Sequence, residues 1–235
     1  MEQISKVITV EEHFMSEKVN GEYQKLLEKK NLTLAQKAKA NFIQQFVAKG
    51  EITEVGEKRL EFMETHGIDC QILSYGNNSP SYLDPKQAVV LCQMANEELA
   101  GYCKQYPGNF YGFAVLPVGD TGAALTELER AVKTLGLKGI IFNGAYQESY
   151  FDEDRFFPIF EMAQELKVPV MLHPGEVPTE VAKTYYQGSW PVAVANVFAG
   201  HGIGWHYDAW VQYMRMILSG IFDRLQNLQL ICGHW

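Results

Sequence analysis

The segment Ile8-Thr9-Val10-Glu11-Glu12-His13-Phe14 opens with β-branched residues and then places two carboxylates and an imidazole in succession. Side chains alternate faces along a strand, so Glu11 and His13 are expected to share one face with Thr9, and Glu12 the other with Ile8, Val10 and Phe14. A carboxylate and an imidazole two residues apart on one face can chelate a metal, or simply form a hydrogen-bonded pair. Two more histidines occupy comparable places. His173 ends the apolar run Val170-Met171-Leu172, and His234 follows Gly233 after Leu230-Ile231-Cys232. Three of the six histidines therefore sit where apolar, strand-like segments end. Neutral imidazoles with a carboxylate are what Zn2+ or Mn2+ accepts without any thiolate, so their joint placement points to a metal site.

The other polar residues carry less. His66 precedes Gly67 where a helical pattern stops, which suits a cap neighbour or a partner for the helix dipole. His201 and His206 fall in a glycine-rich aromatic stretch and either line a substrate mouth or lie on an exposed loop. Asn143 closes Ile140-Ile141-Phe142, where its amide either orients a ligand or stabilises the turn into Gly144. Tyr75 and Asn77 follow the second strand in a similar way. Glu12 points away from Glu11 and His13 and reads as a supporting carboxylate.

The elements that must position these residues alternate. From Glu57 onward, helical patterns and short apolar strands follow one another, and with the opening segment they make six strands. Asp84 as N-cap, Pro85 at N1 and Gln87 at N3 mark the start of a long helix reaching about Gln105. The last helical pattern runs from Asp208 to about Leu228. Strands that are apolar throughout and separated by helices pair in parallel with helices outside, as a (β/α)8 barrel or an open doubly wound sheet. In such folds the carboxyl ends of the strands converge on one site. No glycine-rich nucleotide fingerprint follows any strand. Residues 17–52 read as an inserted helical excursion. Residues 175–204 read as a long loop, and as the segment that sets substrate choice.

Composition narrows the partners. The 235 residues carry a formal net charge of -8, which argues against nucleic acid and anionic membranes. Cys70, Cys92, Cys103 and Cys232 show no C-x-x-C spacing, and reduced thiols in a cytoplasmic protein are expected. Neither a signal peptide nor an apolar run long enough to span a membrane is apparent. The aromatic residues between Tyr185 and Tyr213 exceed what one core needs, so a homo-oligomer is expected.

The motifs Glu11-x-His13, Leu172-His173-Pro174 and Gly233-His234 resemble those of the decarboxylase branch of the amidohydrolase superfamily. That branch includes the dihydroxybenzoate (resorcylate-type) and aminocarboxymuconate-semialdehyde decarboxylases. The segments EFMETHGIDCQILS, FYGFAVLPVGD, LGLKGIIFNG, VPVMLHP and ILSGIFDRLQNLQLICGH each look like a family segment, in the family's order. The resemblance covers nearly the whole chain, most weakly residues 17–52. It implies an α/β fold of (β/α)8 type holding one divalent metal, Zn or Mn, with about six of the eight βα units present. It implies that Glu11, His13 and His173 are metal ligands, that His234 is a catalytic histidine beside the metal, and that Asn143 lines the substrate pocket.

The implied activity is non-oxidative decarboxylation of a small hydroxyaromatic or related unsaturated carboxylic acid. A metal-dependent hydrolase of an ester, lactone or amide is the alternative, and an inactive metal-binding or assembly subunit is another. The family's remaining metal-site Asp, at the end of its eighth strand, has no counterpart before Trp235. The expectation is therefore a single domain over residues 1–235 that is C-terminally incomplete, part of a barrel protein of about 300 residues or more.

Overall fold

In the computed structural model, residues 6–28, 50, 52–76 and 79–234 are described. Among them six strands form one sheet, all parallel, in the order β1-β2-β3-β4-β5-β6. They are β1 (Ile8–Phe14), β2 (Cys70–Tyr75), β3 (Phe110–Ala114), β4 (Gly139–Asn143), β5 (Val170–His173) and β6 (Leu230–Cys232). Parallel pairing follows from the alternation, since each strand crosses over through a helix, and the sequential order is that of a barrel rather than of a doubly wound sheet. The architecture is the α/β, partial barrel arrangement that the family resemblance implied, the periodicity alone having left a doubly wound sheet open. β2, β4 and β5 are buried along nearly all their length, as strands covered on both faces should be. β1 departs from this, because Ile8 and Val10 are about half exposed rather than core residues.

The helices between the strands are α1 (Glu17–Glu28), α2 (Glu57–Thr65), α3 (Pro85–Gln105), α4 (Thr121–Lys133), α5 (Phe157–Glu165) and α6 (Gly204–Leu218). α3 spans its predicted range, with Asp84 as N-cap and Pro85 at N1. The Asp84 side chain makes no capping hydrogen bond, however; its carbonyl receives the Gln87 and Ala88 amides at 2.9 Å instead. Buried Asn96 of α3 stitches three elements together. Its amide nitrogen donates to Val115 O at 2.9 Å and Glu127 Oε1 at 2.7 Å, while Asn96 Oδ1 accepts from Val115 N. His66 is the C-cap of α2, stacked on Phe62 with its Nδ1 2.8 Å from the Phe62 carbonyl, the cap role its position suggested.

Three expectations change. The excursion at 17–52 begins with α1 as a helix, while residues 29–49 and 51 lie outside the described residues. Residues 175–204 are not one loop: they fold into short helical turns at Thr179–Tyr186 and Val192–Gly202. Pro178 and Pro191 occupy the N-cap positions that start these turns, so prolines read as loop markers instead initiate helix. The last helical pattern is broken at Gly220, whose φ of 73° lies in the left-handed region and separates α6 from a short helix at Ile221–Arg224.

The turns after β4 and β5 touch backbone to backbone. A Cβ placed on Gly144 (φ 75°) would lie 2.5 Å from Gly175 Cα, and one on Gly175 would lie 2.3 Å from Asn143 O. Two glycines thus allow the strand ends bearing Asn143 and His173 to approach each other. Tyr82 holds the same corner: its hydroxyl accepts from Asn143 N at 2.8 Å and donates to Gly144 O at 3.2 Å.

Candidate metal centre

β1 reaches the site through a bulge. Thr9 pairs with Gln71 and Glu12 with Leu73, so three steps along β1 match two along β2. One extra residue reverses the alternation, and Thr9, opposite Gln71, does not share a face with His13, opposite Ser74. Glu11 lies within the bulge, where an irregular backbone re-aims a side chain. The expected common face of Thr9, Glu11 and His13 is thereby corrected, although Glu11 and His13 each still reach the His173 ring.

The site is shared with β5 and the residue after β6. His13 Nε2 lies 3.1 Å from His173 Nε2, and His173 Nε2 lies 3.2 Å from Glu11 Oε1. His234 Nε2 contacts Glu11 Oε1 directly. Donor atoms of Glu11, His173 and His234 all fall within 4.8 Å of one another. Among the described residues, the three-residue grouping within that distance thus takes in His234 where His13 was expected, and His13 joins it through His173. The His234 φ of 54° is in the left-handed region, which costs a non-glycine residue about 1–2 kcal/mol. Such strain is concentrated at functional positions.

The imidazole tautomers follow from their outer partners. His173 Nδ1 is 2.7 Å from Pro174 O, and a carbonyl only accepts, so Nδ1 carries a proton, and in the neutral ring Nε2 presents a lone pair. His13 Nδ1 is 3.1 Å from Ser74 Oγ, whose own hydrogen is directed to Glu12 O at 3.4 Å. With both rings neutral and protonated at Nδ1, two Nε2 lone pairs would face each other at 3.1 Å, an arrangement that a cation beside both would relieve. Glu11 Oε1 is buried, with the His173 and His234 rings as its contacts among the described residues. Burial alone would raise its carboxyl pKa, but His173 and His234 outweigh that and hold it well below the usual carboxylate range. Burial, helped by repulsion from His173, pushes His13 down to about 4, so its ring is neutral near pH 7. A deprotonated carboxylate and neutral imidazoles are the forms a divalent metal requires, and the residues present fit such an ion.

Around this cluster lie groups of mixed foresight. Asn143 is the register partner of His173, so their side chains share a face, and both atoms of its buried amide lack a partner. His206, in the first turn of α6, brings Nε2 to 3.4 Å from His234 Nδ1, whereas His201 stacks edge-on with Trp205 at 5.8 Å. Trp205 packs against the His234 ring at 5.9 Å. Tyr75 does not belong to the site: it is buried in the core, edge-on to Phe14 at 5.3 Å. Asn77 lies outside the described residues.

Sequence reasoning missed Ser74 and Arg59. The only available signal for Ser74 was its place at the end of a predicted strand. Arg59 Nη2 donates to His13 O at 2.9 Å, and no spacing rule announces that bond. Deeper under α6, Tyr150 donates to Asp208 Oδ1 at 2.6 Å, and burial raises the Asp208 carboxyl to about 6. Among the described residues, no helix is long and apolar enough to cross a membrane.

Comparison with known proteins agrees with this geometry. The sequence profile of the family described as Amidohydrolase matches residues 47–235. Decarboxylase orsB of Emericella nidulans is 33% identical over 186 residues, covering 78% of this chain and 54% of that protein. Gamma-resorcylate decarboxylase of Rhizobium radiobacter is 32% identical over 192 residues, covering 78% of this chain and 56% of that one. The chain thus spans about half the length of these curated relatives. The crystal structure of 5-carboxyvanillate decarboxylase from Novosphingobium aromaticivorans, complexed with manganese and 4-hydroxy-3-methoxy-5-nitrobenzoic acid, superposes with a TM-score of 0.85. It is 26% identical, with 97% of this chain and 65% of that one covered. A profile matching most of the chain, and a superposition over nearly all of it, lead to one conclusion: the chain belongs to the amidohydrolase family.

Proposed function

We propose that this chain forms the metal-binding part of a non-oxidative decarboxylase acting on a hydroxyaromatic carboxylic acid. The observation that carries the reading is the meeting of Glu11 Oε1 and His13 Nε2 at His173 Nε2, beside His234. The decarboxylase names of its relatives support the reaction class. Glu11, His13 and His173 hold one divalent ion. Manganese is favoured over zinc, because the superposed decarboxylase binds it. Once bound, the ion supplies positive charge that offsets a substrate carboxylate and a neighbouring oxygen.

The remaining steps belong to this chain's side chains. Asn143 donates from Nδ2 and accepts at Oδ1, and so orients substrate oxygens beside His173. When the bond from ring carbon to carboxyl breaks, carbon dioxide leaves and the electron pair stays on the ring. That carbon must gain a proton, and this reading gives that role to His234, which stands beside the cluster. His206, 3.4 Å away, is within reach to pass a proton back to His234. The unit is one domain, with the helix α1 following β1.

Purified chain supplied with Mn2+ and gamma-resorcylate should release carbon dioxide in a metal-dependent way. Acid release from ester or lactone probes, without carbon dioxide, would replace this reading with a hydrolase. The same surface supports self-association. Tyr185, Tyr207, Trp210 and Leu218, between the short turns and the end of α6, are each more than half exposed, an apolar surface that a second copy would cover. Light scattering should show a homo-oligomer at micromolar concentration; a strictly monomeric mass would remove the idea.

A further inference from the structure

Ser74 is buried at the carboxyl end of β2 and is the direct register partner of His13. Among the described residues, its hydroxyl and the His173 ring are the side chains hydrogen-bonded to the His13 ring. The donors run in a single direction. Glu12 O can only accept, so it takes the hydroxyl hydrogen at 3.4 Å, and the hydroxyl oxygen is left to accept from His13 Nδ1 at 3.1 Å. The position of that proton decides what the opposite edge of the ring can do.

The competing tautomer has a specific consequence here. With its proton on Nε2, His13 would donate directly to the His173 lone pair, 3.1 Å away. The two histidines would then satisfy each other, and neither nitrogen would remain open to a cation. We propose that Ser74 is a positioning residue that holds the His13 proton on Nδ1 and so keeps the pair of histidines metal-ready rather than bonded to each other. This rests on the metal-site reading above, but its core claim concerns a tautomer and is measurable without any ion.

Two other features hold His13 and must be separated from the hydroxyl. Arg59 Nη2 donates to the His13 carbonyl at 2.9 Å, which anchors the backbone but does not select a ring proton. The Ser74 backbone also favours protonation of the ring, though less than burial opposes it. Ser74→Ala deletes the hydroxyl and leaves both of these in place. Ser74→Thr restores a hydroxyl at the same point.

Nitrogen NMR of the metal-free chain, labelled with 15N at histidine, reads the tautomer. His13 in the unaltered chain should show a protonated Nδ1 and a bare Nε2; Ser74→Ala should shift protons to Nε2, and Ser74→Thr should return them. A parallel Mn2+ titration should show Ser74→Ala binding about 10–100-fold more weakly, the usual cost of losing an outer partner of a metal-bound histidine, with recovery in Ser74→Thr. If Ser74→Ala disrupts folding, Ser74→Cys keeps a side chain of similar size with a poorer acceptor and should give an intermediate tautomer mixture. A folded Ser74→Ala chain with an unchanged His13 tautomer would overturn the inference and assign the lock to the backbone. Failure of the unaltered chain to bind Mn2+ would instead sink the metal reading, while the tautomer spectra still decide the role of Ser74.

Discussion

Replacing His173 with alanine is expected to bring bound divalent metal close to background in protein never exposed to chelator. Losing an outer partner of a metal ligand typically costs about 10–100-fold in affinity, and losing a ligand should cost more. His173 has no evident substitute. It is almost fully buried, and its Nδ1 is committed to Pro174 O, so only Nε2 faces Glu11 and His13. Elemental analysis of the wild-type and His173→Ala chains, prepared side by side, reads the effect directly. A melting curve on the same samples guards against simple unfolding, since deletion of a buried side chain leaves a cavity and costs stability as well. Full metal content in folded His173→Ala would show that the ion, if bound, lies elsewhere.

His234→Asn should have the opposite profile, keeping the metal and losing turnover by about a hundredfold or more, the usual scale of acid–base assistance. The geometry makes this a sharp test, because His234 Nε2 touches the Glu11 carboxylate and lies within the same cluster as His173 Nε2. A ligand and a proton donor could both stand there. What favours a chemical role is that Glu11 and His13 both reach His173 without it, and that its other nitrogen faces His206 at 3.4 Å. An imidazole can both give and take a proton, which suits that work. Metal content, melting temperature and turnover measured on one preparation separate the cases. Metal and activity lost in parallel would make His234 a ligand, and a lower melting temperature with near-normal turnover would make it structural.

Much of the scaffold was legible in the chain because its signals are local. Parallel strands buried on both faces must be short, apolar and separated by helices, and β2 to β6 obey that pattern. Strand ends in such folds gather at one side of the sheet, so Glu11, His13, His173, His234 and Asn143 could be named from position alone. The misreadings have equally local causes. Pro178 and Pro191 were markers of irregular chain, yet the same fixed φ that breaks a helix interior is suited to its first turn. In the last helix the apolar pattern continued through Gly220, and a single left-handed residue was enough to end it.

The amino-acid sequence by itself determined the alternation of strands and helices, the residue types at the strand ends, and so the kind of ion they could hold. Only the tertiary structure decided how those residues meet. The bulge in β1 depends on pairing with β2, and it sets which side chains share a face. Ser74 meets His13 across 61 residues, and His173 meets it across 160. Contacts over such separations leave no periodicity in the chain; they exist because strand register brings distant side chains to one height on one face. The tautomer of His13 is fixed at that level too, since a proton is placed by the neighbour that folding supplies.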